Sequence, residues 1–190
     1  MMSSITILLL LFLIIFESIS SIPLLNTTSG IYIGHTVNYR DITIQQYLVT
    51  YGIFSITSSP NEQCLYLNVY IPINHNNNVR KKPIFMWIHG GSSQVGTGNM
   101  FDGTILAALG DIIVVTFNFR LNLFGFLSSG DERLEGNLGL YDQSMVLDWI
   151  YENSEALGGD IERITIGGHS AGAPHAYYLA MSPFNRGRIR

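Results

Sequence analysis

Apolar residues along the chain form four short runs whose patterns predict β-strands. Residues 65–71 (LYLNVYI) alternate apolar and polar positions, and Pro72 ends the run. Residues 84–88 (IFMWI) and 112–119 (IIVVTFNF) are almost continuously apolar and rich in β-branched side chains, which is typical of strands buried on both faces of a parallel sheet. Residues 164–166 (ITI) predict a fourth, shorter strand.

Helical patterns separate these strands. A short helix is predicted over residues 104–109, after Asp102 and before Gly110. A longer helix is predicted over residues 140–152, because apolar side chains recur there at helical spacing. Its apolar face consists of Met145, Val146, Trp149 and Ile150. The pattern becomes helical again from Ala171 onward. Strands that alternate with helices predict an α/β fold with a parallel sheet.

The first residues are predicted to be a signal peptide. Residues 5–16 are almost entirely apolar, but the run is too short to cross a bilayer, which takes about 20 residues. Small residues follow at Ser18 and Ser20, so we expect residues 1–20 to be removed and residues 21–190 to form the mature domain. An uncleaved membrane anchor is the alternative, because no basic residue precedes the run.

A glycosylation signal follows the predicted cleavage point. Asn26-Thr27-Thr28 has the form of an N-linked acceptor, and we expect Asn26 to carry a glycan. Together with the signal peptide, this predicts a secreted or extracellular protein. Placement at the cell surface would require an anchoring segment beyond residue 190.

Composition narrows the possible functions. Hydrophobic residues make up 47% of the chain and charged residues 13%, which excludes a disordered polymer. The 10 basic and 14 acidic residues give a net charge of −4, so a nucleic-acid partner is not expected. Cys64 is the only cysteine and precedes a strand that we expect at the sheet edge. A single cysteine excludes an internal disulfide and a multi-cysteine metal site, and neither a metal nor a cofactor is expected.

Residues 168–172 (GHSAG) carry the strongest chemical signal. They have the form G-x-S-x-G and stand directly between a predicted strand and a predicted helix, which is the context of a nucleophile elbow. Gly168 and Gly172 would allow the sharp turn that presents the Ser170 hydroxyl at the carboxyl end of the sheet. The amide of Ala171 would point at the same place and stabilise an oxyanion. An ordinary tight turn is the alternative interpretation.

A second glycine-rich segment, His89-Gly90-Gly91-Ser92, follows the strand predicted over residues 84–88. Its glycines would let backbone amides approach a substrate carbonyl and donate to it. Taken alone, the segment also fits an ordinary glycine-rich turn.

Five ordered segments together resemble the type-B carboxylesterase and cholinesterase family of α/β-hydrolases. They are residues 61–72 (NEQCLYLNVYIP), 85–91 (FMWIHGG), 114–128 (VVTFNFRLNLFGFLS), 136–143 (GNLGLYDQ) and 157–173 (LGGDIERITIGGHSAGA). The resemblance implies an α/β-hydrolase fold. This chain would carry an incomplete version of that fold, the N-terminal part of the sheet through the elbow.

The resemblance also implies a reaction and the residues that perform it. Ser170 would be the nucleophile, and the oxyanion hole would use the amides of Gly91, Ser92 and Ala171. Members of the family cleave carboxylic esters through an acyl-enzyme. The implied partner is therefore a small carboxylic ester substrate.

Departures from the family pattern point to a second possibility. Ser92 stands where the family has the third glycine of an HGGG turn, and a positive φ there would cost about 1–3 kcal/mol. His169 stands where the esterases carry Glu, and Cys64 lacks the upstream cysteine with which the family pairs it. Residues 92–103 (SSQVGTGNMFDG) resemble neuroligins, the adhesion branch of the family. The alternative function is therefore neuroligin-like adhesion through a cell-surface protein partner, without hydrolase activity.

The sequence shows no base for the predicted nucleophile. The histidines are His35, His75, His89, His169 and His175, and the family order places the acid and the histidine after the serine. Only His175 follows Ser170, and on a helix it would face about 140° away from it. We therefore expect an incomplete chain that lacks the triad acid and histidine and is inactive by itself. A short product without a function of its own is the remaining alternative.

Overall fold

The computed structural model describes residues 24–27, 30–39, 42–50, 64–73 and 80–189. These residues form the strands β1 (Leu24–Thr27), β2 (Gly30–Tyr39), β3 (Ile42–Thr50), β4 (Tyr66–Ile73), β5 (Lys82–Ile88), β6 (Ile113–Phe117) and β7 (Gly159–Gly168). The helices are α1 (Thr104–Gly110), α2 (Asn122–Phe126), α3 (Leu138–Asn153) and α4 (Gly172–Met181), with 3-10 turns at Gly98–Met100 and Pro183–Asn185. The predicted signal peptide, residues 1–20, lies outside the described residues.

The strands form one mixed sheet in the order β1-β2-β3-β4-β6-β5-β7. β5 lies between β6 and β7 and runs parallel to both, as predicted for these three strands. β4 pairs antiparallel with β6, so the predicted parallel sheet does not extend to this strand. Only residues 74–81 join β4 to β5, and a parallel connection needs a crossover of a dozen residues or more. β4 therefore runs opposite to β5, and because β5 is parallel to β6, β4 is antiparallel to β6.

β1, β2 and β3 add an antiparallel half to the sheet, which the hydrophobic pattern does not predict. β3 pairs along its length with β4, from Thr43 opposite Ile73 to Thr50 opposite Tyr66. β4 is therefore an internal strand, and the expectation that Cys64 precedes an edge strand is wrong. Cys64 is half-buried, and burial, followed by the charge of Asp142, raises the pKa of its thiol.

The sheet packs between two layers of helices. On one face, α3 and α4 cover a core formed by Leu67, Val69, Ile84, Met86, Ile88, Ile113, Val115, Phe117, Val146, Leu147, Ile150, Ile164 and Leu179. On the other face, Ala107 and Ala108 of α1 pack against Tyr70 and Val114. All five residues of β6 are buried. Burial on both faces explains why this strand is an almost continuous apolar run rather than an alternating one.

The predicted helices are present, with shifted boundaries. α3 begins at Leu138, and its core-facing residues include Val146, Trp149 and Ile150. Met145, which was predicted to share that face, is 40% exposed, because it lies about 100° around the helix from Val146 and falls at the margin of the buried stripe. α2 has only five residues, too few to show a helical period in the sequence.

Candidate active site

The elbow turn (residues 168–172) joins β7 to α4. Ser170 lies at its apex with a φ of +54°, in the left-handed region, and the residue is exposed. A non-glycine residue in this region costs about 1–3 kcal/mol and persists only where the surrounding structure imposes it. The turn therefore holds a serine in the strained, exposed position that is typical of a nucleophile elbow.

Two glycines make the elbow turn possible. A Cβ on Gly172 would lie 2.2 Å from the carbonyl oxygen of Ile88, at the end of β5. A Cβ on Gly168 would lie 2.3 Å from the carbonyl oxygen of Gly172. Backbone hydrogen bonds then close the turn: the Gly172 amide donates to the His169 carbonyl at 2.9 Å, and the His169 amide donates to the Ile88 carbonyl at 3.2 Å. The elbow is thus fastened to β5 by contacts between backbone atoms.

The glycine turn (residues 89–96) follows β5 and has a second strained conformation. Gly91 has a φ of +111°, and the next two residues, Ser92 and Ser93, have φ values of +56° and +58°. The amides of Gln94 and Val95 both donate to the carbonyl oxygen of Gly91, at 3.0 and 3.1 Å. The positive φ considered for Ser92 from the sequence is therefore present.

The two turns meet at Gly90. A Cβ there would lie 2.7 Å from the carbonyl oxygen of His169 and 2.9 Å from the Cβ of Ser170. Only glycine lets the backbone of the glycine turn pass this close to the serine. The predicted nucleophile and oxyanion residues, Ser170, Ala171, Gly91 and Ser92, thus lie at one end of the sheet.

His175 on α4 contacts the glycine turn rather than Ser170. It is 6% exposed, and its Nε2 lies 3.0 Å from Oγ of Ser93. Its Nδ1 lies 2.9 Å from Nε2 of Gln143 on α3. Sequence reasoning considered this histidine only as a base and missed its link to Ser93, because no local pattern connects two residues that lie 82 positions apart.

Two buried histidines, His89 and His175, contact the ring of Phe119. His89 stacks on the Phe119 ring with 4.6 Å between the ring centroids, and its Nδ1–H donates to the carbonyl oxygen of Gly90 at 2.7 Å. Burial lowers the pKa of His89. Burial and, as a smaller effect, the charge of His89 lower the pKa of His175. Both rings are therefore neutral at pH 7.

Neither of the two buried histidines is available as a base for Ser170. His89 is bonded to Gly90, and His175 is bonded to other side chains. His169 is exposed beside the serine.

In the described part of the chain, no cluster of three or more His, Cys, Asp or Glu side chains could hold a metal ion. None of the helices within the same ranges has the length and the apolar run that a bilayer crossing needs.

An open cleft of about 470 Å³ lies beside the glycine turn. Ser92 and Ser93 contribute to its lining on the side of the turn. Leu123, Phe126 and Leu127, in and just after α2, contribute apolar surface. Gln94, Asn122 and Ser128 complete the lining, so the cleft has a mixed polar and apolar surface next to the glycine turn.

Known proteins share much of this sequence. A sequence profile described as the Carboxylesterase family matches residues 34–190. Neuroligin-2 of Mus musculus is 46% identical over 145 residues, which cover 67% of this chain and 17% of neuroligin-2. Bile salt-activated lipase of Mus musculus is 43% identical over 137 residues, which cover 68% of this chain and 23% of the lipase. The chain thus spans about a fifth of the length of these curated relatives.

Two solved esterase structures share the fold. A PNB esterase superposes with a TM-score of 0.74 at 32% identity, over 89% of this chain and 42% of that protein. A carboxylesterase of Geobacillus stearothermophilus superposes with a TM-score of 0.74 at 33% identity, over 88% of this chain and 42% of that protein. In both cases the match covers less than half of the larger protein.

Proposed function

This chain belongs to the carboxylesterase family and has the α/β-hydrolase fold, and we propose that it supplies the nucleophile and the oxyanion donors of a carboxylic ester hydrolase. The observation that carries the proposal is the position of Ser170, which is strained, exposed and adjacent to the glycine turn. The proposal includes an acyl-enzyme on Ser170 as the intermediate.

In the proposed reaction, Oγ of Ser170 attacks the ester carbonyl while its proton passes to a base. The carbonyl oxygen becomes an oxyanion, which accepts hydrogen bonds from the amides of Gly91, Ser92 and Ala171. The bond to the alcohol oxygen then breaks, the alcohol leaves with a proton, and the acyl group stays on Ser170 as an ester. Water attacks this ester in a second step, releases the carboxylic acid and returns the proton to Ser170.

The base comes from outside the described residues in this proposal. General-base assistance is typically worth about 10²–10⁴-fold in rate, and an unassisted serine hydroxyl is a weak nucleophile near pH 7. We therefore expect that the 190-residue chain does not turn over esters by itself, although Ser170 is the intended nucleophile.

The cleft beside the glycine turn is the proposed substrate site. Its apolar lining of Leu123, Phe126 and Leu127 fits the hydrocarbon part of a small ester. Ser92 is the proposed oxyanion residue that lines the cleft, and an ester bound there would extend past it to reach Ser170. The described side chains that line the cleft are uncharged, which favours an uncharged ester over an ionic one.

Neuroligin-like adhesion is the second candidate function, and Ser92 is the observation that favours it. Ser92 has a positive φ that glycine would adopt without strain. Holding the Ser92 amide in position as an oxyanion donor therefore costs strain energy that a glycine would not cost. The chain is also slightly more similar to neuroligin-2, at 46% identity, than to bile salt-activated lipase, at 43%. The partner would then be a cell-surface protein rather than an ester.

Hydrolysis of a p-nitrophenyl ester tests the expected inactivity of the 190-residue chain. The purified 190-residue chain and its Ser170→Ala variant should show equal background rates, with Ser129→Ala as the control at another exposed serine. A burst of nitrophenol that disappears only in Ser170→Ala would contradict the expected inactivity. It would show that the chain has a base of its own, and His169 would be the first candidate.

The product of the complete transcript decides between the two candidate functions. If the enzyme proposal is correct, this product carries a downstream acid and histidine, and Ser170→Ala abolishes its esterase activity. A product that has both residues but no turnover dependent on Ser170 would favour adhesion. A transmembrane span and cytoplasmic tail without those residues would favour it as well.

Extracellular placement is proposed from the predicted signal peptide (residues 1–20) and the acceptor at Asn26, which lies on β1 opposite Ile31. Expression in secreting cells should yield a protein that begins near Ser21, as read by N-terminal sequencing. A glycosidase should lower its apparent mass, and Asn26→Gln should remove that shift. Cytosolic protein that retains Met1 would contradict the proposal.

A further inference from the structure

We propose that the hydrogen-bonded series Gln143–His175–Ser93 positions the glycine turn for oxyanion binding, which makes His175 a positioning residue of the site. This inference rests on the proposed function, because it concerns the donors of the proposed oxyanion hole. It gives a role to a buried histidine that the proposed mechanism does not otherwise use.

The glycine turn requires support from outside itself. Ser92 and Ser93 are consecutive non-glycine residues in the left-handed region, and such conformations persist only where the surrounding structure imposes them. Within the turn, the amides of Gln94 and Val95 hold the carbonyl oxygen of Gly91. These bonds close the turn without engaging the side chain or the carbonyl group of either serine.

Ser93 is held from two sides by other elements. Its carbonyl oxygen accepts the amide of Asn122, at the start of α2, at 2.7 Å. Its hydroxyl lies 3.0 Å from Nε2 of His175 on α4. Because Nε2 of Gln143 donates to Nδ1 of His175, the proton of the neutral ring is on its Nε2 and is donated to Oγ of Ser93.

The imidazole ring of His175 is itself fixed in place. The rings of Phe119 and Phe126 lie against it, with 5.6 and 5.4 Å between the ring centroids. The residue is 6% exposed, so water competes poorly for its nitrogen atoms. Loss of the bond to Ser93 would leave the buried Nε2–H of His175 without a partner, which costs free energy. This cost favours the arrangement in which Ser93 stays bonded to His175.

The same helix determines the position of the nucleophile and of its oxyanion donors. α4 begins at Gly172, the last residue of the elbow turn, and carries His175 in its first turn. Ser170 and Ser93 are therefore both tied to the beginning of α4, and the amide of Ser92 belongs to the residue before Ser93. Oxyanion donors must lie about 2.7–3.1 Å from the developing charge, so a small shift of the glycine turn relative to α4 would lower the rate.

Three variants distinguish this role from ordinary packing. His175→Phe keeps an aromatic ring in the core but removes both hydrogen bonds of the imidazole. Ser93→Ala removes the hydrogen bond between His175 and the glycine turn by deleting the Ser93 hydroxyl. Ser144→Ala is the matched control, because Ser144 is likewise half-buried and accepts a side-chain hydrogen bond, from Asn185 at 3.2 Å, without contacting His175.

Amide hydrogen exchange in the 190-residue chain measures the support directly. Ser93→Ala and His175→Phe should each speed exchange of the Asn122 amide about tenfold relative to the Val115 amide in β6, since each removes the hydrogen bond between His175 and Ser93. The double variant should exchange no faster than the faster single variant, and Ser144→Ala should not change the ratio. An equal rise at Asn122 and Val115, or additive effects in the double variant, would overturn the proposal.

Kinetics of the complete transcript's product provide the second readout. His175→Phe should lower kcat about tenfold and change KM by less than about twofold, because the donors act mainly in the transition state. His175→Gln should recover part of the loss, since its amide can still donate to Ser93. Unchanged kcat in His175→Phe would overturn the positioning role. Absence of any hydrolysis dependent on Ser170 would instead contradict the proposed function, and the exchange experiment would still decide whether His175 holds the turn.

Discussion

The elbow turn and the glycine turn both hold serines in the left-handed region, but by different means. In the elbow turn, Ser170 is flanked by two glycines whose closest neighbours are backbone atoms of β5 and of the turn itself. In the glycine turn, Ser93 depends on the side chain of His175 and on the amide of Asn122. Close backbone contacts shape both turns, but Ser93 is held in addition by one side chain and one backbone amide from distant elements.

This difference determines how each turn should respond to change. A turn built on close backbone contacts tolerates no added atom, so its weak points are its glycines. A turn held by hydrogen bonds to buried side chains can lose one bond and shift while the sheet stays folded. We therefore expect substitutions at the elbow to affect global stability and substitutions behind the glycine turn to have smaller or more local effects.

Gly172→Ala should have the largest effect. The added Cβ would lie 2.2 Å from the carbonyl oxygen of Ile88, and backbone must move to relieve this contact. We expect a loss of about 3–5 kcal/mol in the free energy of unfolding, measured by urea denaturation.

Gly110→Ala is the control for this prediction. The atoms nearest to its added Cβ belong to the side chain of Ile112, the closest at 3.3 Å, and Gly110 ends a helix without a positive φ. Its stability should change by less than about 1 kcal/mol. Equal stability of Gly172→Ala and the unsubstituted chain would show that the elbow is more plastic than its backbone contacts indicate.

Asp142→Asn should have the next largest effect, because Asp142 ties α3, the helix that carries Gln143, to Arg120. The Asp142 carboxylate is 0% exposed and accepts hydrogen bonds from Nε, Nη2 and the backbone amide of Arg120. Breaking a buried ion pair typically costs about 3–5 kcal/mol. Since the side chain of Arg120 is 35% exposed, we expect the lower end of that range, about 3 kcal/mol, in urea denaturation.

The exposed pair between Asp131 and Arg133 provides the control. Asp131→Asn should leave the unfolding midpoint near that of the unsubstituted chain, because exposed ion pairs contribute little. A midpoint for Asp142→Asn that matches Asp131→Asn would contradict the assigned role of the Arg120 pair.

The same contrast explains what the sequence could predict. The elbow turn was predictable because its requirements lie within five consecutive residues between a strand and a helix. The strands β5 and β6 were predictable because burial on both faces leaves an almost continuous apolar run. The support of the glycine turn was not predictable, because it joins Ser93 to residues on α3 and α4 that only the fold brings near.

The misjudged parts of the sheet have related causes. Hydrophobic pattern reports burial but not strand direction, so the antiparallel pairing of β4 with β6 had to come from the structure. The strands β2 and β3 pair with each other from Gly34 opposite Tyr47 to Tyr39 opposite Ile42, and the sequence of this region carries no alternation strong enough to predict them. α2 spans less than two helical turns, which is too short for a periodic signal.

Ser92→Gly should have a smaller effect of opposite sign. Ser92 has a φ of +56°, and glycine removes the strain of about 1–3 kcal/mol but loses about 0.5–1 kcal/mol through the greater freedom of the unfolded chain. We expect a net gain of about 1 kcal/mol in the free energy of unfolding. Ser129→Gly, at a serine without a positive φ, should be neutral or destabilising. Destabilisation by Ser92→Gly would mean that the Ser92 side chain makes a contribution larger than its strain.

Acidification should loosen the glycine turn and leave the elbow turn closed, the smallest and most local of the expected effects. Burial lowers the pKa values of His89 and His175 in the folded state, whereas the pKa of an unfolded histidine is about 6.5. At a pH between the folded and the unfolded pKa, the unfolded state therefore binds more protons than the folded state. Stability contributed by these neutral rings is therefore complete above about pH 6.5 and is lost as the pH falls through the folded pKa values. Protonation places a proton on Nδ1 of His175, so this atom can no longer accept the hydrogen bond from the Gln143 amide.

Amide exchange from pH 7.5 to 5.5, corrected for the intrinsic rate, measures this effect. Protection of the Asn122 amide, which donates to Ser93, should fall as the pH is lowered, whereas protection of the His169 amide, which donates to Ile88, should stay nearly constant. His175→Phe should remove most of the pH dependence at Asn122, because the group that titrates beside Ser93 is gone. Equal responses at the two amides would mean that acid acts on the fold as a whole and that the two turns are not supported independently.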